Sequence, residues 1–313
     1  MPSKTEMYDC SVVVCSYRPV WEKLRLTLKS ILMQEQCDYQ IVVTDDGSTN
    51  NLFDKIEEFF SSYGFTDYKL VASHKNRGTV QNVLQGVNVC GGEFVKLLSP
   101  GDFLHTARAL REWTEFMRTH VDCVISCCEA IYYHIKDGKV ICTRENSHPQ
   151  RRALSVSQYL ICDDIALGAA IMVRRDAWLE YLEMIADKIV YAEDNSYRIM
   201  IYRGNKMIYN PQSFVLYEYG TGISTSGNDV WAERLRKDWQ MADQIMLSLE
   251  PCDEARHVRV PEYLRLSFQK GSLVCWRRWM RYPARFYYGI LHRFFPKKTP
   301  VSIDESFVTE LLR

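Results

Sequence analysis

Between Ser11 and Leu98, short apolar runs rich in β-branched residues alternate with amphipathic stretches, and this alternation leaves few architectures open. Ser11–Cys15, Ile41–Thr44, Tyr68–Ala72 and Glu93–Leu98 read as strands, while Trp21–Met33, Leu52–Tyr63 and Thr79–Val89 carry a helical period. Strands that are apolar throughout must be covered on both faces, and strands joined through helices run parallel. The expected class is α/β, with a mostly parallel sheet. In such sheets ligands bind beyond the carboxyl ends of the strands.

After Asp102 the pattern becomes mixed. A helix is expected over Leu104–Met117, a strand over Val121–Ser126, and a hairpin over Tyr132–Cys142 turned at Asp137-Gly138. A strand over Ile171–Val173 follows, and Tyr191-Ala192-Glu193-Asp194-Asn195 opens a helix that runs to Tyr202. Beyond Gly227 the chain reads as helical, with segments Asp229–Leu249 and Glu262–Gln269. Lys plus Arg equals Asp plus Glu at 39 each, so no global field draws the chain to nucleic acid. The polar stretch Met1–Asp9 lacks the apolar core of a secretory leader, which points to the cytoplasm. Eleven cysteines, an odd number without a Cys-x-x-Cys pair, read as free thiols, with Cys123, Cys127 and Cys128 as small core residues.

Three strand ends carry polar residues toward one crevice: Cys15-Ser16-Tyr17-Arg18, Asp45-Asp46-Gly47-Ser48 and Ser99-Pro100-Gly101-Asp102. A nucleotide fits that layout. A carboxylate accepts a uracil ring N–H or bridges ribose hydroxyls, and a tyrosine ring lies flat against a base. Asp-Gly-Ser turns also cap helices, so Asp45 and Asp46 admit a purely structural reading.

Those loops occur in order with Asn76-Arg77-Gly78 and Gly92-Glu93-Phe94-Val95-Lys96-Leu97-Leu98, and together the motifs resemble the family-2 glycosyltransferases of the GT-A fold over about residues 10 to 230. The resemblance implies a Rossmann-like sheet with a nucleotide-sugar half (1–105), an acceptor half (106–227) and a C-terminal helical extension (228–313). It implies an inverting enzyme that moves a sugar, from UDP by preference, to a hydroxyl of a saccharide or lipid-linked saccharide in surface polysaccharide synthesis. Ser16 and Tyr17 would contact the nucleotide, Asp46 the uracil, and Arg77 the uracil or diphosphate. Where the family writes Asp-x-Asp for a divalent cation, this chain writes Ser99-Pro100-Gly101-Asp102, which leaves Asp102 to face the diphosphate and Mn2+ or Mg2+. Glu218, within the stretch Leu216–Thr225 that resembles the family's Gly-Ser loop, would supply a second metal ligand. Asp194 corresponds to the base that takes the acceptor proton, with Glu193 beside it. Ala166-Leu167-Gly168-Ala169-Ala170 matches a small-residue turn before the base, which packing alone also explains. Two other readings stand beside this one. A nucleotidyltransferase shares the crevice and the metal but needs a basic phosphate-activating loop, of which Arg18 and Lys23 are a poor version. A non-catalytic relic would bind saccharide or membrane.

The one strongly biased region is Tyr263–Ile303, with nine Lys or Arg, ten aromatics and no acidic residue. On a helical wheel Trp276, Trp279, Met280, Pro283, Phe286, Tyr287, Ile290, Leu291 and Phe294 share one side, while Arg277, Arg278, Arg281, Arg285, His292 and Arg293 share the other. That describes a helix over residues 275–298 lying in the headgroup layer of an anionic membrane, on its inner face. Packing on the domain or a homo-oligomer contact would use the same face.

Overall fold

The computed structural model describes residues 8–145, 153–162, 166–218, 220, 222, 227–269, 272–294 and 303–313. The chain opens with β1 (Tyr8–Ser16), α1 (Trp21–Leu32), β2 (Tyr39–Asp45), α2 (Phe53–Ser62), β3 (Tyr68–Ala72), α3 (Thr79–Val89) and β4 (Gly92–Leu98). It continues through β5 (Phe103–Leu104), α4 (Ala109–Thr119), β6 (Cys123–Cys127), β7 (Ala130–Lys136), β8 (Lys139–Glu145), β9 (Ala153–Leu154) and α5 (Val156–Leu160). Then come β10 (Ile171–Arg174), α6 (Arg175–Ile185), α7 (Asn195–Tyr202), β11 (Lys206–Tyr209) and β12 (Val215–Glu218). The rest is helical: α8 (Asp229–Ser248), α9 (Asp253–His257), α10 (Val260–Ser267), α11 (Ser272–Arg281), α12 (Pro283–Phe294) and α13 (Glu305–Leu312).

One sheet has the order β3-β2-β1-β4-β10-β6-β11-β9, and a smaller one has the order β5-β12-β7-β8. The strands β1 to β4 are parallel, and β10 enters antiparallel beside β4. Val13 points into a core shared with α3, α6 and α7, whereas Val12 and Val14 point into one shared with α1, α2 and α4. That is why β1 is apolar without alternation: both of its faces are covered. On α1, Leu24, Leu28 and Ile31 form the inward stripe and are fully buried, each worth roughly 1.5–3 kcal/mol. Among the described residues the cysteines are free thiols, and Cys127 and Cys128 are buried in the core.

Two expectations change. The helix expected from Leu104 begins at Ala109, because Phe103–Leu104 pairs antiparallel with β12 and both residues are fully buried there. Of the C-terminal helices, α8 packs on α7, and Phe307, Val308 and Leu311 of α13 join Phe103, Ile131, Tyr133 and Leu216 in a core beside the second sheet. The basic-aromatic tail is two helices broken at Tyr282, since Pro283 lacks the N–H that a continuing helix needs.

Arg278 and Arg285 turn inward, against the wheel's assignment of both to the outer face. Arg278 donates to the Tyr263 hydroxyl (2.9 Å) and Arg285 to the Ile161 carbonyl (3.2 Å), while Tyr282 packs edge-on to Tyr263. Trp276, Trp279, Met280, Phe286, Tyr287 and Ile290 are left 44–63% exposed. Residues 295–302 lie outside the described residues. Among the described residues no helix is long and apolar enough to cross a membrane.

Candidate active site

The strand-end loops open on a cleft of about 1100 Å³. Ser16, Tyr17, Asp46, Asp102, Glu193, Asp194 and Glu218 all line it. Arg77 does not, although its neighbours Asn76 and Gly78 do.

Ser16, at the end of β1, is buried and donates to the Thr44 carbonyl (2.9 Å), which ties the ends of β1 and β2 together. Tyr17 is exposed at the rim, with the Arg18 guanidinium 5.1 Å from its ring centre. Asp45 organises its own turn by accepting from the Ser48 backbone N–H (2.7 Å) and hydroxyl (2.6 Å). Asp46 reaches further. Its two oxygens accept the backbone N–H groups of Arg77 and Gly78, both at 2.8 Å, so it clamps the loop that starts α3. Each oxygen keeps a second lone pair for a ligand. The Arg77 side chain instead points to the Ser73 hydroxyl (3.4 Å).

Asp102 is buried beneath the turn that follows β4, and its Oδ1 accepts the Glu218 backbone N–H (3.1 Å). Burial lifts its carboxyl to about 7, against the pull of that N–H and of Lys96. The Thr27 hydroxyl of α1 holds the turn from below, donating to the Asp102 carbonyl (2.8 Å) and accepting from the Gly101 N–H (3.0 Å). Gly101 has φ +108°, and a Cβ there would lie 2.6 Å from Glu218 Oε2, so the bare backbone makes room for that carboxylate. The structure thus brings Asp102 and Glu218 together, as a shared metal site requires. Yet Lys23 Nζ sits 2.7 and 2.6 Å from the two Glu218 oxygens. Among the described residues no three His, Cys, Asp or Glu side chains converge as a metal site.

Glu193 and Asp194 occupy the opposite wall, just before α7. Among the described residues Asp194 Oδ1 is buried without a hydrogen-bond partner. Burial raises the Asp194 carboxyl, and the Arg198 charge opposes that rise. Arg198 is itself fixed by Asp243 (2.8 Å) and Asn195 (3.0 Å). Burial, and then the Asp194 charge, push Glu193 up to about 8, which favours a proton on Glu193 at neutral pH. Gly168 faces this pair: a Cβ there would come within 3.3 Å of Glu193 Oε1, so the small-residue turn serves close approach as well as packing.

The segment carrying the pair is held from two sides. From α3, the Val80 N–H donates to the Val190 carbonyl (3.1 Å), and Gly78, at φ +96°, would place a Cβ 2.5 Å from that same oxygen. From α8, the buried Asp238 accepts the backbone N–H groups of Val190 (3.3 Å), Tyr191 (2.6 Å) and Ala192 (3.0 Å). Trp231, Arg234, Leu235 and Trp239 of α8 line the cleft as well, with Trp231 edge-on to Tyr191 at 5.1 Å. The helix over Asp229–Leu249 is legible in the sequence but its part in the cleft is not, although Trp231, Leu235 and Trp239 fall at i, i+4, i+8 on one helix face.

A family model described as "Glycosyl transferase family 2" matches residues 11–178. No curated protein matches the chain. Among solved structures, S. aureus TarS 1–349 is similar with a TM-score of 0.58 at 15% identity, over 91% of this chain and 82% of that one. The same TarS fragment in complex with UDP-GlcNAc gives 0.58 at 16% identity, over 91% and 82%. The mannosyltransferase PcManGT from Pyrobaculum calidifontis, in complex with GDP-Man and Mn2+, gives 0.59 at 13% identity, over 94% and 77%. At such identities the likeness speaks for the fold alone.

Proposed function

The chain belongs to glycosyl transferase family 2, and on that premise we propose that it moves a sugar from a uridine diphosphate donor to a saccharide or lipid-linked saccharide hydroxyl, with inversion. What carries this reading is Asp194: a cleft-lining carboxylate with one buried, unpartnered oxygen, in the same cavity as Asp102 and the nucleotide-side loops. The donor's base lies along Tyr17 and Asp46, and its diphosphate lies toward Asp102. Asp194 accepts the proton of the acceptor hydroxyl as that oxygen bonds to the anomeric carbon, and the bond from that carbon to the diphosphate breaks on the far side. Protonated Glu193 leaves a single negative charge at the base. Tyr191, Trp231 and Trp239 offer aromatic faces to acceptor sugar rings.

The test is product identity. With a panel of nucleotide sugars, the full chain should release UDP from a UDP-sugar, slowly with water and faster with a saccharide acceptor. Release of sugar 1-phosphate from a nucleotide sugar, or of pyrophosphate from an added nucleoside triphosphate, would instead support a nucleotidyltransferase, and release of no nucleoside diphosphate from any donor would end the reading.

The exposed face of α11 and α12 belongs to the same proposal: it rests in the headgroup layer and brings the cleft to a lipid-linked acceptor. Its inward arginines anchor it to the domain, the exposed Arg277 and Arg281 flank the apolar side chains, and among the described residues no helix is long and apolar enough to span. Full-length protein should sediment with phosphatidylglycerol vesicles. Trp276→Ser combined with Trp279→Ser and Phe286→Ser should weaken that binding by at least about tenfold, since each buried aromatic contributes roughly 1.5–3 kcal/mol. Wild-type protein that stays in the supernatant would refute membrane docking.

A further inference from the structure

The divalent cation implied by the family resemblance does not fit the oxygen donors as this chain arranges them. Asp102 is the one carboxylate in Ser99-Pro100-Gly101-Asp102, and its Oδ1 already accepts the Glu218 N–H. Glu218 is the second candidate ligand, and both of its oxygens bind the Lys23 ammonium at 2.7 and 2.6 Å. A dication entering between the two carboxylates would meet that ammonium head-on, so binding a metal means expelling Lys23 first.

We infer that Lys23 takes the place of the metal: its ammonium, seated on Glu218 at the diphosphate end of the cleft, is the positive charge that grips the donor, and transfer proceeds without a divalent ion. The inference rests on the transferase reading above and adds how its donor site is charged. Three elements converge to hold the ammonium in place. Lys23 lies in the first turn of α1, directly after the loop that follows β1. The Glu218 carboxylate reaches it from the end of β12 beneath Gly101, where any side chain would collide with it. The Lys23 side chain is 38% exposed, so part of the ammonium still faces a ligand. Arg18 also lines the cleft, and the N–H groups of the first turn of α1 have no side-chain cap, which adds positive potential for an anion. Glu218, read from sequence as a metal ligand, becomes the group that orients Lys23. A lysine carries its charge as a point donor, which suits a diphosphate that needs no planar fork.

Calorimetric titration of UDP and of GDP into the full chain, with EDTA or with Mn2+, tests this. Wild type should bind UDP equally, within about threefold, in both conditions. Lys23→Met should lose about 10- to 100-fold in EDTA, the range expected of a charge-assisted contact, and recover with Mn2+, because Asp102 and Glu218 then lie open to the ion. Lys23→Arg should restore part of the metal-free binding. Electron paramagnetic resonance should see bound Mn2+ in the Lys23→Met complex with UDP and none with wild type. Thermal melts establish that each variant is folded. Wild-type UDP binding that vanishes in EDTA, or Lys23→Met that binds UDP in EDTA as tightly as wild type, would overturn the role of Lys23 and leave the transferase reading standing. Failure of wild type to bind either nucleotide in either condition would overturn both.

Discussion

Asp194→Asn is expected to lower kcat by about 10²- to 10⁴-fold while leaving UDP affinity within about threefold, because a general base acts on the transition state and not on the bound nucleotide. The amide keeps the shape of the side chain but cannot take the acceptor proton. Stopped assays of UDP release, with calorimetry of UDP binding, separate the two quantities. A variant that retains more than about a tenth of wild-type kcat would remove Asp194 from the mechanism.

The pH dependence follows from the same pair. Burial raises Asp194, so the acid limb of kcat/KM should lie above the range of an ordinary aspartate. Glu193 keeps its proton up to about 8, and its ionisation should then bend the profile a second time. Glu193→Gln should erase that second inflection and keep the first. Stability carries the same sign. An exposed glutamate gives up its proton near 4.5 and the folded one near 8, so the folded state binds the extra proton, and stability is lost as pH rises through that window. Glu193→Gln should therefore raise the Tm relative to wild type more at pH 9 than at pH 5. Equal shifts at both pH values would mean that Glu193 is not held neutral.

Asp238→Ala is expected to cost about 3 kcal/mol of stability and to lower kcat by about 10²-fold, although Asp238 touches no reacting atom. Its carboxylate gathers three consecutive backbone N–H groups just before Glu193 and Asp194. Removing it strands those donors and loosens the segment that aims the base, and a misplacement of about 1 Å suffices for such a loss. Asp238→Asn, with one acceptor oxygen left, should fall between. Urea denaturation and steady-state kinetics measure the two effects. Full kcat in a folded Asp238→Ala protein would mean that the base segment is positioned by α3 alone.

Much of the scaffold is written locally. β3 and α3 run over the residues their periodicity marks, and α1 and β4 differ by a residue at one end, because apolar spacing directly decides which face of an element can be buried. The Asp137-Gly138 turn is local too, since both residues take positive φ. Asp45 shows the limit of that logic: it holds its own turn, as an Asp-Gly-Ser stretch allows, whereas its neighbour Asp46 serves the loop at Gly78, 32 positions away.

By itself, then, the order of residues determined the α/β class, the strand ends that carry polar groups, and the separate stretches that hold Asp102 and Asp194. Tertiary structure alone decided that these stretches share a cleft, that Phe103–Leu104 becomes an edge strand, that Lys23 meets Glu218 across 195 positions and that Asp238 holds the segment just before Glu193 and Asp194 across 46 to 48. Helix and strand periods repeat within a few residues and so leave a trace in any short window. A charge partner or a backbone clamp is chosen only when distant elements pack, and nothing in the neighbourhood of Lys23 or Asp238 encodes which loop will arrive.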